Sequence, residues 1–467
     1  MNRYITAILF LVAIACGVSI FFLQPWLQKP RSEEVCENFL LSLDPEKIRS
    51  IQIHNGDDVI RIERRGSNWQ VASKMQDRAS PEIVAQILQA AKSLRVYDKI
   101  SAGEFKKELD IGAFGLKWPR QSLSLAGDQK AEIWFGNDAA IRGRIYARKQ
   151  NSKTVYVISD QLQTLISRPF NVFRDRQLTQ WMPDQIRSFV IRRNGNELEV
   201  QQTGNRWRMT RPLEARVNTQ KVYQFLDTLL TSPILEFVDD ESGDLEKFGI
   251  DDQAVSITFD PDTGEPPAIL RLGSPVADEQ GGGYYAQFSA RGSVIRLPSS
   301  VAQLLEINPG DLRERSLFQL HPDILDRIVI RSGGHALTLS RNEEGWIGRQ
   351  GNQEFSVSNE RIQQFLSLFE KQDIKKFLTA PENIAADYGL APPHLSIEFY
   401  SVLSENTPEA SAGPHQIGSV LFSAASQDGV VYAQSSDSPE ILVVDPSILS
   451  LISIEPSNWK QSETPLK

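Results

Sequence analysis

Residue types that often carry out catalysis or bind metals are sparse and scattered in this chain of 467 residues. No H-E-x-x-H pair or other metal-ligand spacing joins its histidines, and no G-x-S-x-G sequence marks a nucleophilic serine. Both cysteines precede residue 37, so a thiol cannot serve as nucleophile or ligand in the rest of the chain. The sequence therefore predicts no catalytic residue, no metal site and no cofactor. The histidines are His54, His321, His335, His394 and His415.

Two polar stretches have a faint likeness to ligand-binding loops, and both are predicted to be hairpin turns. Asp260–Glu265 reads DPDTGE but lacks the additional oxygen ligands and the distal glutamate of an EF-hand. Glu279–Ala286 reads EQGGGYYA, and no P-loop lysine follows it. Proline, aspartate and glycine favour turns, which explains both compositions without a ligand.

A pair of arginines recurs in FRDRQL (Phe173–Leu178) and LRERSL (Leu312–Leu317). Arg176 and Arg315 occupy matching places that are 139 residues apart, and the corresponding third stretch, WKQSETPLK, lacks the pair. We expect these two arginines to lie at joints between consecutive units, where a guanidinium can bind carboxylates or carbonyls. Ordinary exposed charge is the competing interpretation.

The arginine pairs belong to a sequence unit that occurs three times. GSNW, GNRW and EEGW place Trp69, Trp207 and Trp346 at intervals of 138 and 139 residues. Each unit opens with alternating apolar residues, as in IRSIQI, IRSFVI and DRIVI, which is typical of a half-buried strand. We predict that each tryptophan closes the first hairpin and belongs to the core. A platform that stacks on a sugar or a base is the alternative.

Each unit then continues with one amphipathic helix, whose apolar residues recur at helical spacing and are predicted to cover one face of a sheet. FGL, FGI and YGL follow, and their glycines suit a left-handed helix terminus. The predicted order is β-β-α-(α)-β-β-β-β-α, an α+β unit with a largely antiparallel sheet and short extra helices. The three glycines of this signature are Gly115, Gly249 and Gly389.

The N-terminal segment resembles a membrane anchor. Ile5–Leu23 contains 19 residues without a charge, which as a helix would span about 28 Å, close to the hydrocarbon thickness of a bilayer. A cleaved signal peptide and a lipoprotein modified at Cys16 are the alternatives. The predicted organisation is a transmembrane anchor (1–27), a tether (28–42), three repeats (43–178, 179–317 and 318–460) and a polar tail (461–467).

The net charge of the chain bears on whether nucleic acid is a partner. The formal charge is −9 and the pI is near 5.3. This acidic balance, without a basic tract, argues against nucleic acid as a partner.

The tripled pattern, an N-terminal membrane segment followed by I-x-I, G-x-x-W and [FY]-G-[LI], resembles the domain of unknown function 4340 family from Leu43 to about Lys460. That resemblance implies a membrane-anchored companion of gliding-motility-type ABC transporter systems, and it supplies no catalytic residues. We therefore expect a non-catalytic accessory or scaffold protein in the cell membrane, with a single span, most of its chain extracytoplasmic, and membrane-complex subunits as partners. A module that binds envelope glycan or lipid and a hydrolase with an unrecognised site are the alternatives.

Overall fold

The computed structural model describes residues 39–460 except 74, 102–110, 205, 242, 319, 321, 344, 372–373, 379–384, 402–414 and 439. The predicted anchor, most of the tether, the polar tail, both cysteines and His321 lie outside the described residues. Within the described part of the chain, no helix is both long enough and apolar enough to span a bilayer.

Three nine-stranded antiparallel sheets follow one another along the chain. The first contains β1 (Ser50–Asn55), β2 (Asp58–Arg65), β3 (Asn68–Ala72), β4 (Gln76–Arg78), β5 (Val96–Ile100), β6 (Gln121–Ala126), β7 (Lys130–Asp138), β8 (Arg144–Lys149) and β9 (Val155–Ser159). Its helices are α1 (Pro81–Lys92) and α2 (Gln161–Ile166), and 3-10 turns lie at Pro45–Lys47 and Phe170–Val172.

The second sheet contains β10 (Ile186–Arg193), β11 (Asn196–Thr203), β12 (Arg206–Arg211), β13 (Ala215–Arg216), β14 (Glu236–Asp239), β15 (Ser256–Pro261), β16 (Ala268–Pro275), β17 (Tyr284–Phe288) and β18 (Val294–Leu297). Its helices are α3 (Thr219–Leu230), α4 (Ser299–Leu305) and α5 (Pro309–Leu312), with 3-10 turns at Pro183–Gln185, Glu246–Phe248 and Asp278–Gln280.

The third sheet contains β19 (Arg327–Ser332), β20 (His335–Asn342), β21 (Gly345–Gln350), β22 (Gln353–Val357), β23 (Lys376–Leu378), β24 (Leu395–Ser401), β25 (His415–Phe422), β26 (Val431–Ser435) and β27 (Ile441–Val444). Its helices are α6 (Asn359–Lys371) and α7 (Ser447–Leu451), with 3-10 turns at Pro322–Ile324 and Pro456–Asn458.

All three sheets share one strand order, which for the first is β4-β3-β2-β1-β6-β7-β8-β9-β5. The fourth strand of each repeat therefore forms one edge and the fifth forms the other. The long helix connects these two edges, so its apolar stripe crosses the buried face of the sheet. The α+β repeats with antiparallel sheets are as the sequence predicts.

Strand alternation and helix capping explain why these residues form these elements. In the first repeat Ile51 and Ile53 point to the core, and the α1 residues Val84 and Ile87 pack above them. Burying each such side chain contributes roughly 1.5–3 kcal/mol. Ser80 begins α1 by accepting a hydrogen bond from the backbone N–H of Ile83 at 3.3 Å. Asn218 and Ser358 accept the equivalent bonds at the starts of α3 and α6.

The sequence-based strand order was incomplete in two places. Gly66, with φ +61°, turns the chain between β2 and β3, so the tryptophan lies on the third strand and not at the end of the second. The predicted strand order also lacks the edge strands β4 and β5. These strands have three and five residues and show too few alternations to reveal a period of two.

The chain packs as two compact units whose limits differ from the repeat boundaries. The first comprises the residues up to Leu178 together with Pro233–Gly243 and Arg291–Arg296. The second comprises Thr179–Ser232, Asp244–Ala290 and the residues from Leu297 onward.

Candidate functional site

The polar side chains around the buried Arg174 of the first unit form a group that we call the Arg174 cluster. It consists of Asp77, Arg174, Asp240, Arg291 and Ser293. Arg174 is fully buried, and its Nε donates to Asp77 Oδ2 at 2.7 Å. Its two terminal nitrogens donate to Asp240 Oδ1 and Ser293 Oγ, both at 2.8 Å. Asp77 also binds Arg291, whose Nε lies 2.8 Å from Asp77 Oδ1.

The Arg174 cluster uses residues that the sequence assigns to two consecutive repeats. Asp77 and Arg174 belong to the first repeat, whereas Asp240, Arg291 and Ser293 belong to the second. The guanidinium carbon of Arg174 also lies 3.6 Å from the ring centroid of Phe237 on β14. Because all three nitrogens of the Arg174 guanidinium donate hydrogen bonds and its flat face lies on an aromatic ring, the cluster fixes the position of this side chain.

The second unit contains a matching group, the Arg313 cluster, formed by Arg216, Arg313, Phe377, Asp437 and Glu440. Arg313 makes a buried ion pair with Glu440, and its guanidinium carbon lies 3.4 Å from the ring centroid of Phe377. Arg216 Nη1 donates to Asp437 Oδ2 at 3.1 Å. Residues of the second and third predicted repeats are again held together.

Burial dominates the ionisation of the Arg313–Glu440 pair. Loss of solvation raises the pKa of Glu440 above its ordinary value, and the attraction of Arg313 only partly opposes this rise. Loss of solvation likewise lowers the pKa of Arg313. The pair therefore resembles a buried salt bridge in which desolvation consumes much of the Coulombic gain.

The two clusters sit on the same backbone framework, in which the extended segment after each repeat bonds to elements on both sides of it. In each case the segment makes three backbone hydrogen bonds. One of its carbonyls accepts from the residue that caps the long helix of its own repeat, one of its amides donates to the short edge strand of that repeat, and a second carbonyl accepts from the next repeat. The matching bonds are Ser80 N to Phe173 O (2.8 Å) and Asn218 N to Leu312 O (2.8 Å), Asp175 N to Arg78 O (2.9 Å) and Glu314 N to Arg216 O (3.0 Å), and Ile234 N to Arg176 O (2.7 Å) and Ile374 N to Arg315 O (3.1 Å).

The two arginines singled out from the sequence occupy this framework with exposed side chains. Arg176 Nη1 donates to the backbone oxygen of Leu235 at 2.9 Å, and its own carbonyl accepts from Ile234. Arg315 is exposed, and its carbonyl accepts from Ile374. The buried member of each pair is the preceding arginine, Arg174 or Arg313, which sequence reasoning missed.

The third repeat ends differently at the same place. Lys460 pairs with Val357 as Arg174 pairs with Ala79, but Lys460 is exposed. The preceding Trp459 is 5 % exposed and packs edge-on against Phe365 at 5.2 Å. At the end of the third repeat, whose sequence lacks the arginine pair, an exposed lysine thus replaces the buried arginine.

The tryptophans and glycines that the sequence assigns to the core of each repeat are buried or half-buried and have positive φ, respectively. Trp207 is 2 % exposed and Trp346 is 6 % exposed, whereas Trp69 is half-buried against the first core. Gly115, Gly249 and Gly389 have φ values of +73°, +69° and +69°, a region that favours glycine. These residues pack within single repeats.

Among the described residues, no group of three or more His, Cys, Asp or Glu side chains is placed to hold a metal ion. His54 has its Nε2 2.8 Å from Gln52 Nε2 on the same strand. A shallow groove of about 620 Å³ lies between α1 and α2 and is lined in part by Ala85, Ala90 and Leu165. A groove of about 340 Å³ lies between the corresponding helices α6 and α7.

The fold and the two clusters together define a tandem-repeat protein. It has three α+β repeats and buried arginines that bind residues of successive repeats. The family model described as "Domain of unknown function (DUF4340)" matches residues 69–242 and again residues 207–393. The chain belongs to this family. The two matches begin at Trp69 and Trp207, so they follow the repeat.

No curated protein matches the chain. Among solved structures, a DNA polymerase sliding clamp from Pseudomonas aeruginosa with ligand is 10 % identical, with 88 % of this chain and 94 % of that chain covered and a TM-score of 0.17. The DNA polymerase III subunit beta from the same organism is 9 % identical, with coverage of 87 % and 94 % and a TM-score of 0.16. Scores this low carry no argument about fold or function.

Proposed function

We propose that this protein is a non-catalytic accessory or scaffold subunit of a membrane complex of the ABC-exporter type. In this proposal the predicted segment Ile5–Leu23 anchors it, and the three repeats lie outside the cytoplasm. Family membership, with the transporter association that the family resemblance implies, supports the class of complex.

The observation that carries the scaffold role is the use made of the buried charges. Arg174 and Arg313 bind carboxylates and aromatic rings of the following repeat, so these costly groups are engaged in joining repeats. We infer that these buried pairs fix the geometry of the joints even where they add little net stability. A protein that presents a constant surface to partner subunits requires such fixed joints.

Co-purification tests this role. The full chain, tagged at Lys467 and extracted in a mild detergent, is expected to bring the transporter's membrane and nucleotide-hydrolysing subunits with it. Arg174→Gln should reduce the recovered subunits much more than Arg176→Gln, which alters an exposed side chain with a single hydrogen bond to a backbone oxygen of the next repeat. Recovery of the free protein alone, with the transporter subunits demonstrably expressed, would contradict the proposal.

A second function, binding of an envelope lipid or glycan, has one supporting feature. The groove between α1 and α2 offers small apolar residues, Ala85, Ala90 and Leu165, flanked by the amides of Gln86 and Gln89. Saturable binding of a lipid or glycan probe that Ala90→Trp abolishes would favour this function over the scaffold role.

A further inference from the structure

One end of the first sheet carries two loops with exposed apolar side chains. Trp118, in the loop before β6, is 84 % exposed, and Ile141, between β7 and β8, is 56 % exposed. The loops are neighbours because β6 and β7 are antiparallel and Gln121 pairs with Phe135. The backbone N–H of Asn137 also donates to the loop that precedes β6, at 2.9 Å.

These loops are also basic. Lys117, Arg120 and Arg142 are exposed, and the stretches 111–120 and 139–143 contain no acidic residue. Asp57 and Asp138 lie at the same end of the sheet and reduce the local charge. We call the set Lys117, Trp118, Arg120, Ile141 and Arg142 the basic tip.

The chain enters the first repeat at this same end. Phe39 forms a bridge with Arg95, which directly precedes β5, and the N–H of Leu40 donates to Leu94 O at 2.8 Å. The first residue of β5, Val96, pairs with Ile158 near the end of β9, beside the start of β8. Fully extended, residues 24–38 would reach at most about 50 Å, so a bilayer that holds Ile5–Leu23 would lie within that distance of Phe39, at the end of the sheet that carries the basic tip.

The other two repeats lack this combination at the corresponding loops. The second repeat reads FGIDDQAV and VADEQGGG there, which places Asp251, Asp252, Asp278 and Glu279 where the first repeat is basic. The third repeat reads YGLAPPHL and ASQDGV, with neither tryptophan nor arginine. Only the repeat that follows the apolar segment combines an exposed tryptophan with cations at this end.

We propose that the basic tip docks on the surface of an anionic lipid bilayer. Tryptophan is favoured at the membrane–water interface, where its amphipathic ring sits at the level of the headgroups. Lysine and arginine beside it are attracted by anionic headgroups at short range. This contact rests on the membrane location given under Proposed function and adds that the first repeat lies against the lipid surface.

Hydrogen exchange of the full chain reconstituted in vesicles tests the docking. Peptides that cover residues 112–120 and 139–143 should exchange roughly tenfold more slowly in vesicles of mixed phosphatidylcholine and phosphatidylglycerol than in detergent. Vesicles of phosphatidylcholine alone should give weaker protection, because the cationic contribution is lost. Equal exchange in anionic vesicles and detergent, for protein that floats with the vesicles, would overturn the docking and leave the proposed function intact.

A matched pair of variants links the protection to the side chains. Trp118→Ser with Ile141→Ser should abolish it, whereas Ile324→Ser with Leu451→Ser, which removes side chains 52 % and 56 % exposed elsewhere, should not. Protein that fails to float with vesicles would overturn the membrane location and the docking together. Protection that appears only when transporter subunits are added, in vesicles or detergent alike, would assign the tip to a protein partner and refute lipid docking.

Discussion

Replacing Arg313 with glutamine should weaken the second unit far more than replacing Arg315, although the two arginines are two residues apart. The Arg313 side chain is 10 % exposed and is paired with Glu440, which is 8 % exposed. Within the described part of the chain, Arg313 is the guanidinium bonded to Glu440 and Arg216 attracts it from farther away, whereas Asp77 would keep Arg291 if Arg174 were lost. Arg313→Gln therefore leaves the buried Glu440 carboxylate without its bonded counter-ion.

The expected cost follows from that geometry. Removing one partner of a buried pair typically costs about 3–5 kcal/mol, because the other charge stays buried and uncompensated. Arg315 is exposed and contributes its backbone carbonyl, which Arg315→Gln keeps, so its cost should lie within about 0.5 kcal/mol. Glu440→Gln combined with Arg313→Gln should cost less than the sum of the single substitutions, since no charge is then left unpaired.

Denaturant unfolding of the full chain, followed by tryptophan fluorescence and by exchange of peptides around Val217 and Leu312, measures these differences. Local exchange is needed because a chain with two compact units need not unfold in one step. A cost below about 1 kcal/mol for Arg313→Gln, or an equal cost for Arg315→Gln, would refute the reasoning, since a buried unpaired carboxylate should not be tolerated.

Three further substitutions have defined expectations. Trp207→Ala should cost about 3–5 kcal/mol by leaving a cavity, whereas Trp118→Ala, at an exposed site, should leave the melting curve unchanged. Gly273→Ala should cost about 1–3 kcal/mol in urea unfolding, because its Cβ would lie 2.2 Å from a backbone oxygen, while Gly243→Ala meets open space. The third substitution is Glu440→Gln, measured as the unfolding free energy of wild type minus that of the variant. Because burial raises the pKa of Glu440, this difference should fall as pH rises from the ordinary glutamate pKa of 4.5 through the raised pKa, and then level off. A flat or rising difference across that titration would show that Arg313 outweighs the desolvation.

The repeats were predictable from sequence because their signals are local. Alternating apolar residues, a capping side chain at the helix start and a glycine with positive φ each depend on a few neighbouring residues. Their recurrence at 138 and 139 residues therefore revealed three copies of one fold. The short edge strands were missed because β4 and β13, with three and two residues, carry no periodic signal.

The buried arginines were not predictable from the repeat because their partners do not repeat. Arg174 and Arg313 match in position, but Asp77 corresponds by sequence to Ala215 on β13. Glu440, next to Ile441 on β27, corresponds to Ser293, next to Val294 on β18. A search for acids shared by all copies therefore cannot find the counter-ions. Nothing in RDR or RER indicates which arginine of the pair is buried.

This mismatch has a consequence for how the repeats are ordered. The backbone bonds at the two joints are the same, so they could connect any two copies. The charges are not interchangeable: Arg174 requires an acid at Asp240 and a hydroxyl at Ser293, whereas Arg313 requires the acid at Glu440. If the third repeat followed the first, Glu440 would take the place of Ser293, and Ser438 would take the place of Arg291. Asp77 and Glu440 would then share the single buried guanidinium of Arg174. Such an excess of buried negative charge is strongly unfavourable, so the side chains, and not the shared framework, specify which repeat follows which.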